Sequence, residues 1–146
     1  MSAAETIRFE PWPDPEVESY GFPVRSAYVE FCYAGVVGPT GLLVLRLVAA
    51  MIAGAGGKGV TLELAELAHC LGVSAGTGHA SLMRRTLRRL ENFGLLLELP
   101  DGYAARLALR PLSKRQLRLA PATVQRLHER FMATRATESA EQSQAS

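Results

Sequence analysis

The sequence contains few cysteines and few lysines, and both shortages limit what the chain can be. Cys32 and Cys70 are the only cysteines, they lie far apart, and no CxxC pair is present. A disulfide framework and a thiolate zinc ribbon are therefore excluded. Both cysteines fall in apolar stretches, which predicts buried free thiols in a reducing cytoplasm. Only two of the sixteen basic residues are lysine, a bias that, with abundant alanine and glycine, is typical of GC-rich bacterial genomes.

The sequence also lacks the residue spacings that most catalytic and metal sites need. The three histidines, His69, His79 and His128, form no HxxxH or HExxH pair. The glycine-rich stretch GAGGKG at 54–59 lacks the Walker spacing and is followed by Val60 where a phosphate loop has a hydroxyl. We therefore expect no enzyme activity, no metal and no cofactor, and we expect His69 to be a partly buried histidine.

No uninterrupted apolar run is long enough to cross a membrane comfortably. The most hydrophobic stretch, 35–57, has Arg46 near its middle and Gly38-Pro39 near its start. This pattern predicts a buried helix over roughly 39–54 rather than a membrane span. The acidic, proline-rich residues 1–24 do not resemble a secretory signal, which predicts a cytoplasmic protein.

The charges are unevenly distributed although the formal net charge is only +2. Residues 1–30 carry six acids and two bases, whereas residues 84–118 carry nine bases and three acids. A basic field of that density can attract a polyanion even when the whole protein is nearly neutral.

Composition and periodicity divide the chain into three parts. Residues 1–24 contain four prolines and no helical period, which predicts an extended or disordered acidic segment; its single tryptophan, Trp12, is expected to dock on the body of the domain. Residues 25–134 are predicted to form one folded domain with helices at 26–34, 39–54 and 121–134. The polar residues 135–146 are predicted to be a disordered tail.

The centre of the domain shows the clearest periodicity. Residues 60–74 place leucine and alanine at helical spacing, after a short strand at Val60 and an N-cap at Thr61. Residues 79–93 form an amphipathic helix with a leucine side and an arginine side. Residues 95–109 then predict a two-stranded hairpin, with Gly102 supplying a positive φ in the turn. Gly72 and Gly94 are placed to end the two helices in left-handed conformations.

This order of parts resembles the winged helix-turn-helix superfamily of DNA-binding proteins. The resemblance covers roughly 38–110 and rests on VTLELAELAHCLGVS (60–74), on RRTLRRLENFGLL (84–96) and on the hairpin tipped by PDG (100–102). A weaker likeness links YVEFCYAGVVGPTGLLVLRLVA (28–49) to winged-helix modules of uncharacterised high-GC bacterial proteins and of Gram-positive replication-initiation proteins. The fold implied is mainly α with a small β-hairpin, a winged helix-turn-helix with extra N- and C-terminal helices.

The resemblance implies that the helix 79–93 enters the major groove of double-stranded DNA and that the hairpin 95–109 serves as the wing. Small polar residues at the start of such a helix can read base edges, and arginines can bind phosphate or guanine. The candidate DNA-binding residues are Thr77, His79, Ser81, Arg84, Arg85, Arg88, Arg89, Arg106, Arg110, Lys114 and Arg115. Compared with a typical member, the turn 75–81 is longer by about one helical turn. It forms either a glycine loop or an added first turn of the helix.

Three alternatives remain open at this stage. The arginine side can be an ordinary solvated face, with Glu91 as a local partner of Arg84 or Arg88. The chain can be a protein-interaction or replication-associated module without direct DNA readout. The acidic N-terminal segment can fold over the basic face and inhibit it. For the DNA-binding alternative we expect a bacterial transcriptional regulator at the nucleoid. The protein can form a homodimer through Tyr28, Phe31, Leu127 and Phe131, because these apolar side chains add more surface than a minimal winged-helix domain needs to bury.

Overall fold

The computed structural model describes residues 5–74 and 81–145. Helices make up 59% of the described residues and strands 18%, so a helical majority is combined with a small sheet. In chain order the elements are β1 (Thr6–Trp12), α1 (Pro15–Tyr20), β2 (Phe22–Pro23), α2 (Ala27–Cys32), α3 (Ala34–Val37), α4 (Pro39–Gly54), β3 (Val60–Glu63), α5 (Leu64–Cys70), α6 (Leu82–Asn92), β4 (Leu96–Leu99), β5 (Gly102–Arg106), β6 (Ala108–Leu109), α7 (Lys114–Leu119) and α8 (Ala122–Ala145).

The main sheet has four strands in the order β3-β1-β5-β4, rather than the two strands of the predicted hairpin. The β4 and β5 strands form that hairpin, but β1 adds to it, pairing parallel to β5 and antiparallel to β3. Gly102 has no positive φ, contrary to the prediction. It is needed for another reason: it pairs with Arg8, and an added Cβ would lie 1.8 Å from the Arg8 carbonyl oxygen. The glycine therefore permits close approach of β1 and β5.

Residues 5–24 are an integral part of the core rather than a segment outside the folded domain: β1 is extended, which was one of the two alternatives expected, and α1 follows it. Side chains alternate along β1, so that Ile7 and Phe9 are buried, as a half-buried strand requires. The prolines do not interrupt these elements because they occupy permitted positions. Pro15 is the first residue of α1, where its missing N–H costs nothing, and the Asp14 side chain accepts a hydrogen bond from the Val17 N–H.

The α4 helix is the central helix of the core, and its predicted bounds are confirmed. Leu45, Val48 and Ile52 are buried, as are Leu42, Val44 and Ala49, whereas Leu43 and Met51 on the opposite side are exposed. Arg46 lies at the edge of this core and donates hydrogen bonds to the carbonyl oxygens of Val24 and Ser26, at 3.2 and 3.0 Å. Among the residues that the structure describes, no helix combines the length and apolarity that a membrane crossing needs.

The C-terminal helix is longer than predicted, because α8 continues through Ala145 where a disordered tail was expected from 135 onward. Its first half packs against α2. The Tyr28 hydroxyl lies 2.7 Å from His128 Nδ1, and the Tyr28 and Phe131 rings meet edge to face. The aromatic residues that suggested a dimer are therefore mostly satisfied within one chain. Phe31 is the exception, since about half of its surface is exposed.

Smaller differences occur around α5. Thr61 lies inside β3, so Glu63 rather than Thr61 occupies the N-cap position of α5. His69 and Cys70 are both exposed, contrary to expectation, whereas Cys32 is buried as predicted. The positive φ values of Gly72 and Gly94, +69° and +74°, confirm the two predicted helix ends.

Candidate nucleic-acid interface

The α6 helix is fixed to the body of the protein by one apolar face. Met83, Leu87 and Leu90 on this face are buried. The Leu90 side chain lies directly against Gly41 of α4, where an added Cβ would come within 3.1 Å of it. Because three successive turns of α6 are anchored in this way, the direction in which its opposite face points is also fixed.

Three arginines project from the exposed side of this helix at the spacing i, i+3, i+4. Arg85, Arg88 and Arg89 are all exposed, and we call them the arginine row. The Arg85 side chain makes no hydrogen bond or ion pair with any residue in the described ranges; its backbone N–H donates to the Ser81 carbonyl oxygen at 3.0 Å. Arg89 donates to the Val36 carbonyl oxygen at 3.4 Å, and its guanidinium carbon lies 5.7 Å from the centre of the Phe93 ring. The arginine row is thus a line of positive charge on a helix whose orientation is fixed by its buried face.

Arg84 lies beside the row but is partly withdrawn from it. Its guanidinium forms an ion pair with the Glu5 carboxylate, and only 28% of its side chain is exposed. It also faces Glu98 and Tyr103 across a polar cleft between α6 and the hairpin. Burial, with the Glu91 carboxylate nearby, raises the pKa of the Tyr103 hydroxyl. Arg84 is therefore balanced by acids of its own chain.

Arg106 is not available to a ligand, which corrects its assignment to the interface. The pairing of β5 with β1 places it beside Trp12, and its guanidinium lies 3.9 Å from the centre of that ring. It donates to Asp14 Oδ2 at 2.6 Å and to the Gly94 carbonyl oxygen at 2.8 Å. The Arg106 hydrogen bond is the main reason why the pKa of the Asp14 carboxyl lies below its ordinary value. The expected docking of Trp12 on the body of the protein is confirmed by this contact.

The small polar residues expected to read bases divide into two groups. Thr77 and His79 lie outside the residues that the structure describes, as does the long turn at 75–80. Ser81 is described, and it is 6% exposed. Its hydroxyl oxygen accepts a hydrogen bond from the Arg84 backbone N–H, so it is the N-cap of α6 rather than a group that faces a ligand.

A second set of cations lies beyond the C-terminal end of α6. Arg110, Lys114 and Arg115 are exposed, as predicted for the interface. Arg110 lines the same cleft as Phe93 and Gly94, so it lies near the end of α6. Lys114 and Arg115 begin α7, where Ser113 and Gln116 form a reciprocal capping box. The structure therefore separates the predicted set into the arginine row on α6 and a cationic group around α7.

Sequence reasoning missed the acidic partners of Arg84 and Arg106. The signal was present in the excess of acids in residues 1–30, but composition does not say which acid meets which arginine. Within the described part of the chain, no three His, Cys, Asp or Glu side chains lie close enough together to hold a metal ion. In comparisons with known proteins, no protein family, curated protein or solved structure matches the chain.

Proposed function

We propose that the chain binds double-stranded DNA through the arginine row and acts as a bacterial winged-helix regulator of transcription. The observation that carries the proposal is the arrangement of α6: a buried apolar face fixes the helix, and Arg85, Arg88 and Arg89 extend from the opposite side. Guanidinium groups at one-turn spacing suit the regularly placed phosphates of a duplex. A helix of this width fits the major groove.

The order of elements around α6 supports the winged-helix assignment. The α4 helix, the β3 strand, the α5 and α6 helices and the β4–β5 hairpin follow one another as the resemblance implies. The arrangement departs from it where β1 joins the sheet and where the hairpin uses Arg106 for an internal contact. The proposal therefore gives the hairpin a supporting role and does not assign DNA contacts to Arg106 or Ser81.

The homodimer is not part of this proposal. Tyr28, Leu127 and Phe131 pack against the core of their own chain, so the excess apolar surface that suggested a dimer is largely used. The proposed interface needs only one copy of α6. DNA binding would place the protein at the nucleoid of the cytoplasm.

Binding to a random-sequence duplex at low salt tests the proposal. Fluorescence anisotropy on Arg85→Ala and Arg88→Ala should show a weaker affinity, by about tenfold each, because a charge-assisted contact of roughly 1.5 kcal/mol or more is lost. The slope of log affinity against log salt should fall in magnitude by about 0.9 per arginine removed. Alanine is a good helix former, so α6 should remain intact.

The matched control is Arg130→Ala, which removes the same charge from an exposed position on α8. It should leave both affinity and slope unchanged. If all three variants lose affinity equally, binding follows net charge and the arginine row has no special part in it.

Regulation of transcription requires a preferred sequence, which a second experiment measures. Purified protein should enrich one motif from sheared genomic DNA, and the double variant Arg85→Ala/Arg88→Ala should not. Uniform recovery of all fragments would contradict the regulatory assignment while leaving general DNA binding intact.

A further inference from the structure

A continuous groove runs across the C-terminal end of α6. It consists of two adjoining clefts of about 380 and 310 Å³, which share Val36, Phe93 and Gln116 as lining residues. One cleft lies toward α1 and β6, and the other lies between α3 and the start of α8. Together they form a surface large enough for several side chains of a partner.

Two large apolar side chains are exposed to solvent at the groove. Leu119, at the end of α7, is 79% exposed, and Phe93, at the end of α6, is 44% exposed. Val124 and Pro121 extend the same apolar lining. A cluster of this kind at the mouth of a cleft marks an interaction surface more often than a scattered leucine does.

The charged side chains that line the groove are basic. Among the described residues that line the two clefts there is no aspartate or glutamate, and Arg110 is exposed there. Arg106 also lines the groove, but its charge is balanced by Asp14. Arg89 lies at the edge of the groove, against Val36 and Phe93. The α7 helix, which contributes Gln116 and Leu119, carries Lys114, Arg115 and Arg118 and no acid.

These charges distinguish between the possible occupants. Two copies of the chain that met groove to groove would bring like charges together, which disfavours a symmetric pair. A basic partner is disfavoured for the same reason. A segment with apolar residues flanked by carboxylates would fill the clefts and meet the cations at their rim.

We propose that this groove docks an acidic amphipathic segment of another protein, with apolar side chains inserted beside Phe93 and Leu119 and carboxylates directed at Arg89 and Arg110. Arg89 is the one residue that the groove shares with the arginine row. The proposal does not depend on DNA binding, because the variants that test it, at Leu119, Phe93 and Arg110, lie outside the row. A chain that did both would bring an acidic partner to DNA.

Selection from a display library of random 16-residue peptides on the full chain tests this inference. We expect the enriched peptides to combine large apolar residues with Asp and Glu. A synthetic copy of the most enriched peptide should lose at least tenfold in affinity, by fluorescence anisotropy, on Leu119→Ser and on Arg110→Glu. Leu97→Ser, an equally conservative change at an exposed leucine of β4, should leave affinity unchanged.

Three outcomes would overturn the inference. They are the absence of any enriched peptide, enrichment of basic or uncharged peptides, and binding that Leu119→Ser does not affect. Sedimentation that shows a dimer dissociated by Leu119→Ser would assign the groove to a second copy instead. Leu119 is so exposed that its replacement should not alter folding, and Phe93→Ser provides an independent variant of the same surface.

Discussion

Tyr28 links three parts of the chain through a single buried hydroxyl. Its ring stacks on Phe22 with centroids 3.9 Å apart, and its oxygen accepts a hydrogen bond from the buried Leu112 N–H at 2.8 Å. The hydroxyl proton is then free to be donated to His128 Nδ1. One residue thus connects the helix α2, the segment before α7 and the helix α8.

Replacement of Tyr28 by phenylalanine should destabilise the protein by about 1–3 kcal/mol at pH 7, because the Leu112 N–H would remain buried without its acceptor. Denaturant unfolding measures this difference. Tyr20→Phe is the control, since Tyr20 is largely exposed and should change stability little. Equal stability of Tyr28→Phe and the wild type would mean that water replaces the lost acceptor.

The pKa of Tyr28 predicts how the stability of the protein changes at alkaline pH. Burial raises the pKa of Tyr28 to about 12, so the folded state keeps a proton that the unfolded chain loses near pH 10. The free energy of unfolding should therefore fall as the pH rises from about 10 to about 12, and this loss should be smaller in Tyr28→Phe. Unfolding curves at half-unit pH steps measure it. Parallel pH profiles for the two proteins would contradict the assignment to Tyr28.

At the scale of elements, the N-terminal strand and the end of the C-terminal helix contribute very differently to the stability of the fold. The β1 strand lies between β3 and β5 and buries Ile7 and Phe9, whereas the residues of α8 after Arg135 are all exposed. Arg135 ties α8 to the rest of the protein through the Phe22 ring and the carbonyl oxygens of Tyr20 and Gly21.

Two truncations of similar length should therefore differ strongly. Removal of residues 1–13 should abolish cooperative unfolding, because a typical total stability of about 5–15 kcal/mol cannot absorb the loss of an interior strand and two large core side chains. Removal of 136–146 should change the free energy of unfolding by less than about 0.5 kcal/mol. Thermal melts monitored by circular dichroism compare the two. A cooperative melt of the first truncation would contradict the central place of β1.

The elements that the sequence predicted well are those with a local signal. The α4 and α6 helices have apolar residues at helical spacing and marked ends, and both were found close to the predicted bounds. The β1 strand was missed because TIRFEPW ends among prolines and because its partners lie far away in the sequence. The arginine row was found for the same local reason as α6. The internal roles of Ser81, Arg84 and Arg106 depend on an N-cap and on partners that spacing alone does not identify.

At the scale of the whole molecule, the acidic N-terminal residues neutralise part of the basic surface. Glu5 pairs with Arg84, and Asp14 pairs with Arg106, so two of the candidate cations are balanced from within. From residue 5 onward the segment does not lie over the exposed arginine row, because β1 is held in the sheet. The net effect on α6 is to withdraw Arg84 from its cationic surface.

Glu5→Gln should widen that surface again. The Glu5 backbone carbonyl would still accept its hydrogen bond from the Leu64 N–H, so only the charge would be lost and the Arg84 guanidinium would be free to bind phosphate. Affinity for duplex DNA should rise several-fold, and the salt slope should steepen by up to about 0.9.

The control for this variant is Glu16→Gln, an identical charge change on the exposed side of α1. It should raise affinity less, because no candidate arginine has a described contact with Glu16. Equal gains in the two variants would mean that overall charge, rather than the release of Arg84, determines the affinity.

The parallel pairing of β1 with β5 also has a consequence for biosynthesis. A ribosome delivers Arg8 well before Gly102, since the helices α1 to α6 lie between them in the sequence. The β1 strand therefore lacks its partner β5 while the helices between the two strands are already able to form. Completion of the sheet is a late, long-range event, and chaperones that shelter nascent chains would meet Ile7 and Phe9 uncovered until then.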